Sequence, residues 1–148
     1  MSLKNLSVKI KIPRVLKNKL NNKKISQIYK KFTKSISINE NFIVAVSGGP
    51  DSLALAFLSK IYSIQKNLKA KFYIIDHKLR SESTDEAKYV KKILNKFQIN
   101  AEILHWQGIK PKSNIQSAAR TKRFELLISK CKKLGVTYIL LGHHQEDL

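Results

Sequence analysis

Beyond residue 40 the chain alternates short apolar runs with stretches of helical periodicity. Phe42 to Val46 is an unbroken apolar run of strand length. A helix is predicted over about residues 51 to 66, with Ala54, Phe57, Leu58 and Ile61 on one stripe. A second strand is predicted over 72 to 76. The next helix has Ala87, Val90, Leu94 and Phe97 as its buried stripe, and Ser83-Thr84-Asp85-Glu86 ahead of it reads as a capping box. A third strand is predicted over 101 to 106. A second capping box, Ser113-Asn114-Ile115-Gln116, opens a helix running to about residue 133, and Gly135 ends it. A fourth strand is predicted over 136 to 141. Ahead of all this, Ile25, Ile28, Tyr29 and Phe32 recur at i, i+3, i+4 and i+7, which predicts one amphipathic helix over about 16 to 34. Residues 1 to 15 read as a loose basic extension.

Strands and helices in strict alternation, with the strands apolar throughout, predict an α/β fold: a parallel sheet with helices on both faces, wound by right-handed crossovers. Such a sheet binds ligands beyond the carboxyl ends of its strands. The residues just beyond three of those ends are 47 to 52, 77 to 80 and 142 to 147, so most of the unusual polar chemistry converges on one rim. The division expected is a basic N-terminal extension and helix over 1–40, then a nucleotide-binding domain over 41–148.

Charge alters this picture. The chain has 29 Lys and Arg against 10 Asp and Glu, a net charge of +19 that favours a polyanionic partner through counterion release. Lysine, isoleucine and asparagine are all abundant, so a genome biased toward A and T is the competing source of some of this charge. The excess is uneven: residues 1 to 39 hold eleven basic residues and no acid, the remainder 18 basic and 10 acidic. That leader has a single arginine, Arg14, unlike Arg-rich transit peptides. The lone cysteine, Cys131, provides neither a disulfide framework nor a Cys-x-x-Cys pair. No apolar run approaches the ~20 residues that span a bilayer, so a soluble, cytoplasmic protein is expected, without membrane attachment.

The stretch Ser47-Gly48-Gly49-Pro50-Asp51-Ser52 carries the most specific chemistry. Two glycines permit positive φ, which would turn successive N–H groups toward one anion, and Pro50 presets the first residue of a helix whose N-terminus adds partial positive charge. The bland alternative is an ordinary Gly-Gly turn with Asp51 and Ser52 as helix-start residues. No lysine follows the glycines, so this is neither the Gly-x-x-x-x-Gly-Lys loop nor Gly-x-Gly-x-x-Gly.

"SGGPDS" after an apolar strand resembles the Ser-Gly-Gly-x-Asp-Ser signature of the PP-loop ATP pyrophosphatases, a Rossmann-like fold of the adenine nucleotide alpha hydrolase type. "DHKLRSESTDEA" at 76 to 87, "QSAARTKRF" at 116 to 124 and "GHHQED" at 142 to 147 are similar to motifs of the tRNA(Ile)-lysidine synthetases, in the same order. Where that family has Gly, this chain has Lys78, and Leu148 follows Asp147 where Gln is usual.

The resemblance implies a ligase that uses ATP and Mg²⁺ and attaches free lysine to C2 of the anticodon's first cytidine in tRNA(Ile) with a CAU anticodon, through an adenylated base. It implies nucleotide binding by Ser47, Gly48, Gly49, Pro50, Asp51 and Ser52. It further implies catalytic roles for Asp51, Arg123, His143 and Asp147, with Asp51 as a metal ligand and Asp147 as a ligand of the metal or of the lysine ammonium. His77 and Arg80 would border the nucleotide or the RNA, and His144 would be scaffolding. Family members are often dimers, so a homodimer is among the implied assemblies. They also continue into further elements and C-terminal tRNA-gripping domains, so a non-catalytic ATP- and RNA-binding fragment is the alternative reading. For Asp51 the alternative to metal binding is helix-dipole pairing. For Arg120 and Arg123, three apart on one helix face, it is solvation or ion pairing. A zinc site at His143 and His144 is disfavoured because neighbouring side chains point apart. Sulfur insertion is disfavoured because Cys131 is alone.

Overall fold

In the computed structural model, residues 11–142 are described. The elements are α1 (Arg14–Leu20), α2 (Lys23–Ser35), β1 (Phe42–Val46), α3 (Pro50–Gln65), β2 (Ala70–Asp76), α4 (Ser83–Lys96), β3 (Ala101–His105), α5 (Ile115–Leu134) and β4 (Tyr138–Leu141). The four strands form one parallel sheet in the order β3-β2-β1-β4. All five residues of β1 are buried, because β1 pairs on both sides: Phe42 stands opposite Ala70 of β2 and Tyr138 of β4. Among the described residues β3 and β4 are the sheet's edges.

Side chains alternate across the sheet, so β1 serves two cores at once. Phe42, Val44 and Val46 join Ile61 and Tyr62 of α3 and Val90 and Leu94 of α4. Ile43 and Ala45 join Leu127 and Cys131 of α5 on the opposite face. Helices α3 and α4 therefore cover one face and α5 the other, as right-handed crossovers require when the chain moves outward from β1 to β3 and then returns past β1 to β4. That reversal puts a topological switch between β1 and β4.

The contact stripe of α3 is not the one its large residues predict. Ala54 is exposed, while Ser52, Ala56, Ser59 and Ser63 are buried. At spacings of four, three and four these small residues form one face that lets the helix lie close on β1. Phe57 instead stacks on Phe97 at the end of α4, with ring centroids 4.4 Å apart.

The predicted helix over 16 to 34 is two helices. The chain turns at Asn21 and Asn22, and the Asn22 side chain accepts from the Lys24 and Ile25 amides at 3.0 and 3.2 Å, starting α2 afresh. Asparagine competes with the helix backbone for these donors, so it caps better than it continues. Leu16, Tyr29 and Ile38 share the core that holds Phe42 and Val44. The Tyr29 hydroxyl donates to Gln65 Oε1, and the Tyr62 hydroxyl donates to the Ile38 carbonyl, tying this segment to α3.

Neither capping box forms. Helix α4 is preceded by Glu82 in αR geometry with no side-chain cap, because Ser83 turns inward instead. Helix α5 starts after Asn114 at φ 53°, also without a side-chain cap. Gly135 ends α5 at φ 71°, as predicted.

Candidate functional site

The rim above the carboxyl ends of the strands carries two adjoining cavities. One, of about 270 Å³, lies over β1 and β4 at the topological switch. Ser47 and Ser52 form one wall, Gln116, Arg120 and Arg123 another, and His77 and Gly142 close the sides. The α5 residues are spaced at i, i+4 and i+7, so one face of that helix overhangs the strand ends. The second cavity, of about 580 Å³, extends over β2 toward α4, with Gly48, Ile74, Ala87 and Val90 among its lining. Ser47 and His77 line both.

The loop from β1 to α3 is held from within. The Ser47 amide donates to Ser52 Oγ at 2.6 Å, and the Leu53 amide donates to the Gly49 carbonyl at 3.0 Å. Ser52 is buried, while Ser47, Gly48, Gly49, Pro50 and Asp51 are exposed on the rim. Gly49 caps the helix with extended geometry (φ −71°, ψ 154°), Pro50 follows as its first residue, and Asp51 lies in the first turn. Neither Gly48 nor Gly49 adopts the positive φ that glycine permits; among the described glycines only Gly108 and Gly135 do. A Cβ on Gly48 would stand 3.4 Å from Val90 Cγ2, and one on Gly49 3.8 Å from Ser47 Oγ, both ordinary contacts. The fold itself therefore has no steric need for either glycine. At Gly142 it does: a Cβ there would fall 2.8 Å from Ser52 Cα.

Next to this loop is a buried hydrogen-bond network centred on a carboxylate. Asp76, at the end of β2, is 1% exposed, and its carboxylate gathers four donors. Ser83 Oγ and the Lys78 amide donate to Oδ1 at 2.8 and 3.1 Å; Thr84 Oγ1 donates to Oδ2 at 2.6 Å. His105 Nδ1, at the end of β3, lies 3.0 Å from Oδ2, and against an ionised carboxylate that nitrogen carries the hydrogen. Burial pushes the Asp76 pKa up, but the bonds from Thr84, Ser83, His105 and Lys78 outweigh it and hold the carboxyl at about 2. The His77 ring faces the other way chemically: its Nδ1 accepts from the Leu79 amide at 3.1 Å, which leaves the proton of the neutral ring on Nε2. Arg80 pairs with Glu86, six residues on, at 2.7 Å, a solvent-exposed pair. The signal for Asp76 and His105 was their place at strand ends; the serine and threonine that bind Asp76 resembled a helix cap.

Ser47, Ser52 and Arg123, named from sequence, thus meet in one cavity, and Gly48 lines its neighbour. His143 and Asp147 lie outside the described residues. Asp51 provides a single exposed carboxylate at the start of α3. Among the described residues no group of three or more His, Cys, Asp or Glu is placed to hold a metal ion. One carboxylate in the first turn of a helix still suits Mg²⁺, which takes one or two protein carboxylates and completes its shell with substrate phosphates and water.

A parallel sheet with a glycine loop and helix start at its switch point defines a Rossmann-like nucleotide-binding domain. Residues 18–148 match the PP-loop domain model, and the chain belongs to that family. It is similar to the tRNA(Ile)-lysidine synthase of Bartonella henselae, with 41% identity over 110 residues, 73% of this chain and 22% of that protein. The synthase of Orientia tsutsugamushi is 39% identical over 74% of this chain and 25% of that protein. The chain spans about a quarter of the length of these relatives. Among solved structures, the U34-tRNA thiolase NcsA from Methanococcus maripaludis, with its [4Fe-4S] cluster, superimposes with a TM-score of 0.70. The superposition covers 85% of this chain and 48% of that one at 20% identity, a likeness of fold. Among the described residues no helix is long and apolar enough to cross a membrane.

Proposed function

We propose that the chain is the ATP-binding part of a tRNA(Ile)-lysidine synthase that adenylates the first anticodon cytidine of tRNA(Ile) and joins lysine to it. The observation that carries this is the cavity at the switch point. It has Ser47 and Ser52 of the loop on one wall and Arg120 and Arg123 on another, and the relatives matching over nearly three quarters of the chain share one name, tRNA(Ile)-lysidine synthase.

In this reading the amides of Gly48 and Gly49 and the first turn of α3 hold the anionic end of ATP. Glycine there serves access, since packing does not demand it. Asp51 holds Mg²⁺ against the phosphates, and the ion supplies charge neutralisation there. The cytidine O2 attacks the α-phosphorus and pyrophosphate leaves. The ε-amino group of lysine then attacks C2 and AMP leaves, carrying the oxygen away. Arg123 stabilises charge that grows on the phosphate oxygens. By the family resemblance His143 takes the same charge-stabilising role, and Asp147 binds metal or the lysine ammonium. The basic surface and the absence of a long apolar helix among the described residues agree with a soluble RNA-binding enzyme.

The length of the relatives favours one second reading, that this stretch binds ATP and RNA without turning over alone. Incubation with ATP, lysine and a CAU-anticodon tRNA(Ile) transcript separates the two: AMP and pyrophosphate release supports the enzyme, binding without release the binding domain. ATP affinity measured with Mg²⁺ and with EDTA tests the site itself. Asp51→Asn should abolish most of the Mg²⁺ enhancement, and Arg123→Ala should weaken ATP at least tenfold. If neither variant changes ATP binding, the site is elsewhere.

A further inference from the structure

The lysines of α1 and α2 form an exposed surface without an acid. Lys17 and Lys19 on α1, and Lys23, Lys24, Lys30, Lys31 and Lys34 on α2, are all exposed. None of them takes part in an ion pair among the described residues; the pairs present involve Arg80, His105, Lys122 and Lys130. No acid occurs before Glu40, so no neighbouring helix turn supplies a countercharge.

The macrodipole favours Lys17, Lys19 and Lys34, which lie in the last turns of their helices, but other local terms oppose the arrangement. Lys30 and Lys34 are four apart and Lys31 and Lys34 three apart, spacings at which like charges destabilise a helix by about 0.2–0.5 kcal/mol per pair. Lys23 and Lys24 occupy the first turn of α2, which contains no acid, where the helix macrodipole disfavours a cation. Compositional drift toward lysine would spread through the chain, yet beyond residue 39 acids are interspersed at 10 to 18 basic residues. A face that stays acid-free even at the start of α2, where the dipole favours an acid, is suited to an anionic partner.

The apolar side of α2 narrows the choice. Tyr29 and Phe32 are buried against α3, with Phe32 packing on Tyr62, and Leu16 of α1 is fully buried. A helix that lies in a membrane surface needs that apolar side for the lipid. Here the larger apolar residues are spent on the core; only Val15 and Ile28 remain exposed, one on each helix, so what the surface chiefly offers a partner is charge, the chemistry of a phosphate backbone. The patch is also within reach of the rim: α2 meets α3 at Tyr62 and Gln65, three to four turns along from Asp51, or about 16–21 Å.

We infer that the lysine face of α1 and α2 binds the phosphate backbone of the RNA whose base enters the rim cavity. This rests on the reading that the substrate is an RNA, and it adds a docking surface outside the nucleotide site. The contacts are to phosphate, so they position the RNA without reading its sequence.

The test uses the full 148-residue chain and a variant with Lys17, Lys19, Lys23, Lys24, Lys30 and Lys31 each replaced by Gln. A control variant carries Gln at six exposed lysines elsewhere, Lys88, Lys92, Lys96, Lys112, Lys132 and Lys133, with the same loss of charge. Affinity for the CAU-anticodon transcript is measured by fluorescence anisotropy from about 50 to 200 mM KCl. Each lost phosphate contact flattens the slope of log K against log salt by about 0.7–0.9. The helix variant should lose about 2 or more from that slope and about tenfold or more in affinity at about 100 mM, the control variant under about threefold.

ATP binding should be the same in all three proteins, and the helix variant should melt no lower than the parent, since like-charge pairs have been removed. If the sixfold variant does not fold, Lys24, Lys30 and Lys31 to Gln repeat the test with about half the change. Equal losses in both variants overturn the assignment, leaving bulk charge as the cause and the RNA substrate intact. A parent chain that binds ATP but no RNA overturns the assignment and the RNA reading together. Binding to phosphatidylserine vesicles that exceeds RNA binding and is lost in the helix variant also overturns it.

Discussion

Replacing Asp76 by Asn should cost about 2–3 kcal/mol at pH 7. Folding lowers the carboxyl from an ordinary value of 3.8 to about 2, close to two pH units at about 1.4 kcal/mol each. The amide side chain would keep the shape but present only one acceptor oxygen to the hydroxyls of Ser83 and Thr84, the His105 ring and the Lys78 amide, and would aim an N–H₂ at some of them. For a domain of this length that loss corresponds to a fall in Tm of about 6–10 °C. The sign with pH follows from the depressed pKa. The stabilisation is complete above about pH 4 and is lost as the pH falls through the folded value of about 2. Urea unfolding of parent and variant at intervals from about pH 7 to pH 2.5 isolates this group, because the exposed acids titrate in both proteins and cancel in the difference. The gap should be widest at neutral pH and shrink below about pH 4. A variant as stable as the parent at neutral pH, or a gap that stays constant down to the acid end of the series, would refute the account.

Two further outcomes follow from backbone geometry. Lys78 has φ 53°, in the left-handed region where a side chain costs about 1–2 kcal/mol, so Lys78→Gly should stabilise by roughly 0.5–1 kcal/mol after the greater freedom of glycine in the unfolded chain is subtracted. Thermal unfolding checks it, and a lower Tm would contradict it. Gly142→Ala should destabilise by about 1–3 kcal/mol and weaken ATP binding, because its Cβ would meet Ser52 Cα at 2.8 Å and displace the start of α3. Calorimetric titration with ATP, beside the melt, reads both effects.

The sheet was legible because apolar runs bounded by turn residues have few other solutions: β1 falls on the five predicted residues, and β2, β3 and β4 begin or end within two of theirs. What patterning missed are places where a polar side chain had two partners to choose from. Asn22 could continue a helix or cap one, and it caps. Ser83 could cap α4 or bind Asp76, and the buried carboxylate prevails because an unsatisfied acid in the core costs more than a lost cap. Small residues concealed the face of α3, since hydrophobicity alone does not rank Ser59 above Phe57 for contact with β1. At the rim, the loop and Arg123 could be named from sequence because their motif is contiguous. The pairing of Asp76 with His105 joins residues 29 apart, and strand register brings them side by side. The departure at Lys78, visible as a missing glycine, acquires its physical meaning only from φ.

The outer margin of β4 has a consequence for handling the protein. Tyr138 to Leu141 pair with β1 along one side only among the described residues, and Tyr138 is exposed. Wherever no further segment pairs with that side, four residues of ladder are a template on which another molecule's strand can grow. Mutual repulsion at +19 opposes that approach in dilute buffer, and added salt shortens its range. Where that edge is open, self-association should rise with ionic strength under the conditions that would weaken the proposed RNA contacts, and light scattering during a salt titration would register the two as opposite trends.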